Sequence, residues 1–248
     1  MEYLIETHCH SCYSIDCRTP IHAIVNSCKK KRICCIVIAD HDCCRLSMSD
    51  YESFINAGVG VLKGIEFTTS ERVHIIGIHS QIEILEQPLG TYCVRETIDL
   101  LHSLGAWIII PHPCHKTGLI GNGGVKEEDL DFAFSNAHFI EKDNYKYGET
   151  KQIMQLLDKY SNLRCLIGSD AHTRIDVGAF LNVVQADSIL GDPMEMLYKH
   201  PCVYLKNKKH SSFYWRFKDF KKSGLYQSLL LLISPKVRRA IKNLLINR

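Results

Sequence analysis

His8 and His10 stand two residues apart in Thr7-His8-Cys9-His10-Ser11, at the end of the stretch Tyr3-Leu4-Ile5-Glu6, which reads as a strand. Side chains alternate faces along a strand, so both imidazoles point one way and Cys9 the other, toward packing. Two neutral ring nitrogens at a close, fixed separation can begin a divalent metal site. Alone, the pair is as well explained by packed or surface histidines. Its weight comes from residues of the same chemistry that recur where apolar runs end: Asp16, His41, Glu66, His74, His112, Asp170 and His172. Buried together without partners, imidazoles and carboxylates would cost several kcal/mol apiece. Divalent cations would supply the partners.

The elements that must position these residues follow from periodicity. Thr19-Pro20 predicts a helix start, with Thr19 as cap and proline at the first helical position. Ile21, Ile24, Val25 and Cys28 then form one buried stripe. Residues 33–39 are a continuous apolar run, the mark of a strand covered on both faces, ending in Asp40-His41-Asp42. A helix at 50–57 leads to a strand at 59–67 carrying Glu66, and a second strand at 73–78 carries His74. A helix at 94–104 stopped by Gly105 precedes the run 106–110, which enters Pro111-His112-Pro113. A Gly-rich loop, a short helix, a strand at 138–141, a helix at 149–160 and a strand at 164–168 follow, the last ending in Ser169-Asp170-Ala171-His172. Alternating strands and helices predict parallel strands with crossovers, and polar residues at strand ends match the carboxyl-end location of α/β sites. About seven such units favour a closed barrel over an open sheet.

Composition sets the outer bounds. A chain of 248 residues, 46% hydrophobic and 23% charged, suits one soluble α/β domain with or without a tail. The expected division is a domain over 1–205 and an extension over 206–248. That extension holds 12 Lys or Arg against one acidic residue, Asp219, so an otherwise acidic body carries a basic tail. Aromatic residues sit among its cations, and Val237, Ile241, Leu244 and Leu245 repeat at helical spacing. A basic amphipathic helix can lie on an anionic membrane, track single-stranded nucleic acid, or pack on the body or on a second copy. Twelve cysteines would suit a disulfide framework, but Met1-Glu2-Tyr3 has neither the basic nor the apolar region of a signal peptide. The expectation is a cytoplasmic protein, peripheral to a membrane at most, whose thiols are mainly small buried hydrophobes. No apolar run is long enough to span a bilayer.

Six motifs in order now carry a resemblance. They are His8-x-His10 with Ser14 and Asp16, Asp40-His41-Asp42, Gly64-Ile65-Glu66, Val73-His74-Ile75-Ile76-Gly77, Pro111-His112-Pro113, and Gly168-Ser169-Asp170-Ala171-His172-Thr173. Over roughly residues 3–185 the chain resembles the polymerase and histidinol phosphatase (PHP) superfamily. The resemblance implies a distorted (β/α)7 barrel with two or three divalent metals, Zn, Mn or Fe, at its mouth. By position, His8, His10, Glu66 and Asp170 would hold the first metal, and Glu66 would bridge to a second completed by His74 and His112. Asp16, His41 and His172 would hold a third. Some relatives take the second-metal histidine from a Gly-x-His segment, here His79. The short Glu66-to-His74 spacing favours His74.

A cluster of divalent cations suits phosphoester hydrolysis by a metal-activated hydroxide, with no side-chain nucleophile. Arg174 and Lys116 stand on the loops beyond His172 and His112, where a phosphate would want fixed positive charge. The implied activity is hydrolysis of a phosphomonoester, either a small molecule or a nucleotide. Within the same superfamily the alternatives are an exonuclease or oligonucleotide phosphoesterase, or a capsule-cluster protein-tyrosine phosphatase. A non-catalytic metal-binding scaffold is the alternative outside enzymology, against which the complete ligand set argues. Amidohydrolysis would want a bridging lysine at a strand end, and Glu66 stands in that place.

Overall fold

In the computed structural model the apolar runs of the sequence become the strands of one sheet. The structure describes residues 1–80, 82, 88–144, 151–185, 191–200 and 203–206. These fall within one unit, Met1–Asn207; the second unit, Lys208–Arg248, lies outside the described residues. The tail helix and the membrane, nucleic-acid or oligomer contacts expected of it therefore also lie outside them.

The strands are β1 (Glu2–Cys9), β2 (Cys35–His41), β3 (Gly60–Thr68), β4 (His74–Ile78), β5 (Trp107–Ile110), β6 (Phe139–Asn144), β7 (Arg164–Gly168), β8 (Phe180–Gln185) and β9 (Val203–Lys206). The helices are α1 (Ile21–Lys31), α2 (Met48–Ile55), α3 (Val94–Ser103), α4 (Glu127–Asn136), α5 (Lys151–Lys159) and α6 (Pro193–Lys199). Across the sheet the order is β7-β6-β5-β4-β3-β2-β1-β8-β9. The first seven strands curl into a nearly closed barrel of mixed α/β type. Its two ends meet where Cys9 bridges Ala171, with His10 N donating to Ala171 O at 2.9 Å. Below that bridge the seam is stitched by a side chain. Asn182 on β8 accepts from Ile167 N at 3.0 Å and donates to Ile167 O at 2.8 Å, replacing the ladder bonds a neighbouring strand would make.

The all-parallel expectation needs correction. β1, β2 and β3 pair in parallel, as do β5, β6 and β7, but β4 is antiparallel to both its neighbours and β8 is antiparallel to β1. The physical reason is loop length. Residues 69–73 are too few for a crossover, so the chain turns back on itself after β3. The segment β8-α6-β9 is also absent from the sequence-based expectations. Its strands are short, and their apolar residues lack a strong period.

Local chemistry explains the remaining boundaries. Pro20, not Thr19, caps α1 and makes no side-chain cap; Thr19 Oγ1 instead donates to His172 O at 2.9 Å. Helix α2 begins earlier than expected because Ser47 and Asp50 form a reciprocal capping box. Apolar residues from the strands, among them Ile5, Val37, Ile76, Ile109, Phe139 and Leu166, fill the barrel, and Met194 and Leu197 of α6 join them. Separate apolar clusters seat α1 and α2 on one side and α3, α4 and α5 on the other. The eleven cysteines among the described residues are all free, and Cys9, Cys28 and Cys35 are buried as expected. Cys9 is buried while Cys12, three residues on, is exposed, so these two thiols face different surroundings. Among the described residues no helix is long and apolar enough to cross a membrane.

Candidate metal centre

All the strand-end residues named from sequence meet at the barrel mouth, except the two cations. His8 and His10 come from the end of β1, where the β1–β2 register slips between Glu6 and Cys9. Such a bulge re-aims side chains beside a site. His41 ends β2 and is the direct cross-strand partner of Glu66 on β3. His74 begins β4 opposite Thr68, and because β4 runs backwards its first residue lies at the mouth. That reversal also separates two histidines: His79, whose backbone N–H bonds Lys63 O, follows the other end of the strand. His112 follows β5, and Asp170 and His172 follow β7.

Glu66 lies at the centre, with both oxygens engaged on different sides. Oε2 is 3.3 Å from His8 Nε2 and 3.2 Å from His10 Nε2. Oε1 is 3.0 Å from His74 Nδ1 and 3.0 Å from His112 Nε2. Asp170 Oδ1 approaches His10 Nε2 at 3.4 Å and His8 Nε2 at 3.9 Å. At the outer edge, Asp16 Oδ2 lies 2.8 Å from His172 Nε2 and 3.6 Å from His41 Nε2. His41 also turns its Nδ1 toward Glu66 Oε2, at 3.4 Å, so it stands between the outer group and the inner one. Among the described residues three sets of ligand atoms lie close enough to share a cation: His8, His10 and Glu66; His41, Glu66 and His74; and His10, Asp16, His41 and His172.

The donor set fits metal ions better than it fits a hydrogen-bond network. His41 Nδ1 and His74 Nδ1 are buried and close to Glu66, yet neither makes a hydrogen bond with it. Nitrogens aimed at shared space beside a carboxylate, and not along its lone pairs, have the disposition of ligands around a common ion. Two cluster residues also carry backbone strain. His112 and Asp170 adopt left-handed φ values of 29° and 47°, which side chains other than glycine take up at a cost.

The electrostatics of the cluster's own side chains follow from the same crowding. Burial alone would depress His10, but its contacts with Asp170 and Glu66 outweigh that and hold it up at about 9. Burial also opposes charge on His8, and the Glu141 and Glu66 carboxylates more than compensate, raising it well above the ordinary imidazole value. Glu66, whose burial favours the neutral acid, is held well below the usual range by His74, His41 and His8. His41 is the exception: burial dominates and brings it down to about 4. Asp16 is held low by its hydrogen bond to His172 and the charges of His172, His10 and His41.

Several acids that sequence reasoning passed over hold the mouth loops in place. Glu6 is fully buried, pushed up to about 7 by that burial, and accepts from Ser169 N at 3.1 Å and Gly178 N at 2.9 Å. Asp40 accepts from Ser11 Oγ at 2.6 Å, fixing the turn after His10. Glu141 contacts His8 Nδ1. The available signal was a charged residue inside or at the end of an apolar strand run, which burial makes improbable without a task. Arg174 and Lys116 do not join the cluster. Both are exposed, and their hydrogen bonds run through their backbone carbonyls, to Ser27 Oγ and Asn122 Nδ2 respectively. Among the described residues the histidines off the motifs stay outside it too, although His115 packs its ring edge-on against His112.

The PHP domain family model matches residues 6–196. Among solved structures, PsfC from Pseudomonas syringae PB-5123 is similar, with a TM-score of 0.62 and 16% identity over 89% of this chain and 98% of that one. A two-domain protein from Bacteroides vulgatus ATCC 8482, containing a predicted PHP-like metal-dependent phosphoesterase, has a TM-score of 0.64 and 19% identity over 83% of this chain and 65% of its own. The lesion-specific endonuclease PfuEndoQ from Pyrococcus furiosus has a TM-score of 0.58 and 18% identity, covering 76% of this chain and 54% of that one. At such identities the likeness speaks for the fold alone. Comparison with curated protein sequences gives no match.

Proposed function

The chain belongs to the PHP domain family, and from that premise we propose that it is a metal-dependent phosphoesterase acting on a phosphomonoester, either a small molecule or a nucleotide. The observation that carries this reading is the division of Glu66, whose two oxygens face two different histidine pairs. His8, His10, Glu66 and Asp170 would hold a first divalent cation. Glu66, His74 and His112 would hold a second, and Asp16, His41 and His172 a third. Mixed imidazole and carboxylate ligands suit Zn, Mn or Fe. Bound there, such cations supply Lewis-acid charge to phosphate oxygens and make water acidic enough to ionise near neutral pH.

The protein's own side chains fix the rest of the chemistry. The serines nearest the cluster are committed elsewhere: Ser11 Oγ donates to Asp40, Ser14 Oγ to Asp16 and Ser169 Oγ to Glu6. None is paired with a histidine as base, which supports hydrolysis without a covalent serine intermediate. Arg174 and Lys116, exposed on the loops that follow His172 and His112, would supply positive charge to a bound phosphate, the first with a forked pair of donors and the second as a point charge. Burial of His8, His10 and Glu66 keeps bulk water from the inner part of the cluster, where charge interactions are strongest.

The test is a hydrolysis screen on purified protein supplied with Zn, Mn or Fe. Substrates should span nucleotides, sugar phosphates, histidinol phosphate, phosphotyrosine peptides and short oligonucleotides. The expected result is metal-dependent release of inorganic phosphate from a monoester, abolished by Glu66→Ala. Cleavage of oligonucleotides without release of phosphate would move the activity to phosphodiesters. A metal-loaded protein inert toward every class would leave the scaffold reading.

A further inference from the structure

We propose that Glu141 is a positioning residue that fixes the tautomer of His8 and ties the first and second metal sites together, so that they fill as one unit. The inference rests on the metal-centre reading, though not on the substrate. Glu141 lies on β6 and is 1% exposed. Its Oε1 is 2.8 Å from His8 Nδ1, and its Oε2 accepts from the backbone N–H of His112 at 2.8 Å. His8 and His112 belong to opposite oxygens of Glu66: His8 Nε2 faces Oε2, and His112 Nε2 faces Oε1. One carboxylate therefore holds one ligand on each side of the bridge.

The consequence for His8 is set by proton count. A neutral imidazole has one N–H and one lone pair, and an ionised carboxylate only accepts. When His8 is neutral, as a metal ligand must be, contact with Glu141 places its proton on Nδ1 and leaves the Nε2 lone pair facing Glu66, His10 and Asp170. The consequence for His112 is backbone geometry. Its left-handed conformation is unfavourable, and the bond from its N–H to Glu141 helps to hold it. The sequence makes room for this arrangement with Gly168, where a Cβ would fall 2.1 Å from Glu141 Oε1 and 2.8 Å from His8 Cβ. Any side chain there would push the carboxylate off both partners.

Gln is nearly isosteric but has a single acceptor oxygen, so Glu141→Gln can satisfy His8 or His112, not both. Outer partners of this kind are typically worth 10–100-fold in metal affinity. Titration of the full chain with Zn2+ alone, followed by calorimetry, should show both sites weakened together by about that factor in Glu141→Gln. Circular dichroism serves as the check on folding. Unchanged affinities, or loss confined to one site, would overturn the coupling. Should the variant fail to fold, 15N shifts of His8 in the zinc-loaded wild type decide the matter: a protonated Nδ1 is expected, and a protonated Nε2 would overturn the assignment. A wild-type chain that takes up no zinc would sink the metal-centre reading itself, a different outcome from wild type and variant binding equally well.

Discussion

At the scale of single residues, identity matters less than which atom faces which. His74 and His79 have the same side chain and lie five positions apart, yet only His74 presents a nitrogen to Glu66. Removing His74 should cost the protein one bound metal per chain while His79→Ala leaves the content unchanged, as measured by elemental analysis of dialysed protein. Equal loss from both variants would contradict the placement of the second site. The protonation of His10 yields a second expectation. In metal-free protein its value of about 9 lies above the ordinary 6.5, so its contribution to stability is complete below pH 6.5 and is lost as pH rises through 9. Metal binding requires the neutral ring, so it must release that proton within the same window. The difference in Tm between metal-loaded and chelated protein should therefore widen from pH 6.5 to 9. A gap that stays flat or narrows over that range would contradict a protonated His10 in the chelated protein.

Elements decide how closely those residues can approach. The turn after His112 is wound tightly, with Gly118 N bonding His115 O and His74 N bonding Thr117 O. That second bond fastens the start of β4 to the loop that carries His112, so one loop locates both histidines of the second site. A Cβ at Gly118 would meet His112 O at 2.2 Å and Pro113 O at 2.4 Å, and both obstacles are backbone atoms that cannot rotate away. Gly118→Ala should accordingly destabilise the fold by roughly 1–3 kcal/mol. It should also weaken the second metal more than the first. Denaturant unfolding and metal titration together would show this; a variant as stable as wild type with both metals intact would show that the loop has slack.

For the molecule as a whole, the barrel must close to bring β1 and β7 ligands to one place. Closure depends on Asn182, a fully buried amide that bonds the N–H and C=O of Ile167 and also approaches Thr7 Oγ1 at 3.3 Å. Asn182→Ala would strand the buried Ile167 N–H, at a cost of roughly 1–3 kcal/mol, while Ile167 O would keep its bond from Thr7 Oγ1 at 3.0 Å. A lower Tm with parallel loss of metal affinity is expected, because His8 and Asp170 stand on opposite sides of that seam. A Tm within a degree of wild type would show the seam to be held elsewhere.

The amino-acid sequence by itself determined which residues could bind metal and the order in which strands would deliver them, since apolar runs and strand-end histidines and carboxylates are local patterns. It also determined that Cys9 packs inward and that His8 and His10 share a face, because strand alternation is a property of neighbours. Only the tertiary structure decided that β4 runs backwards, that His74 and not His79 reaches Glu66, and that Glu6, Asp40 and Glu141 hold the mouth in place. Those outcomes depend on contacts between residues far apart in the chain: Glu141 meets His8 across 133 positions, and Asn182 meets Ile5 across 177. A buried carboxylate has no periodic signature. Its task becomes visible only when the N–H groups it accepts from have been brought to it by the closing of the barrel.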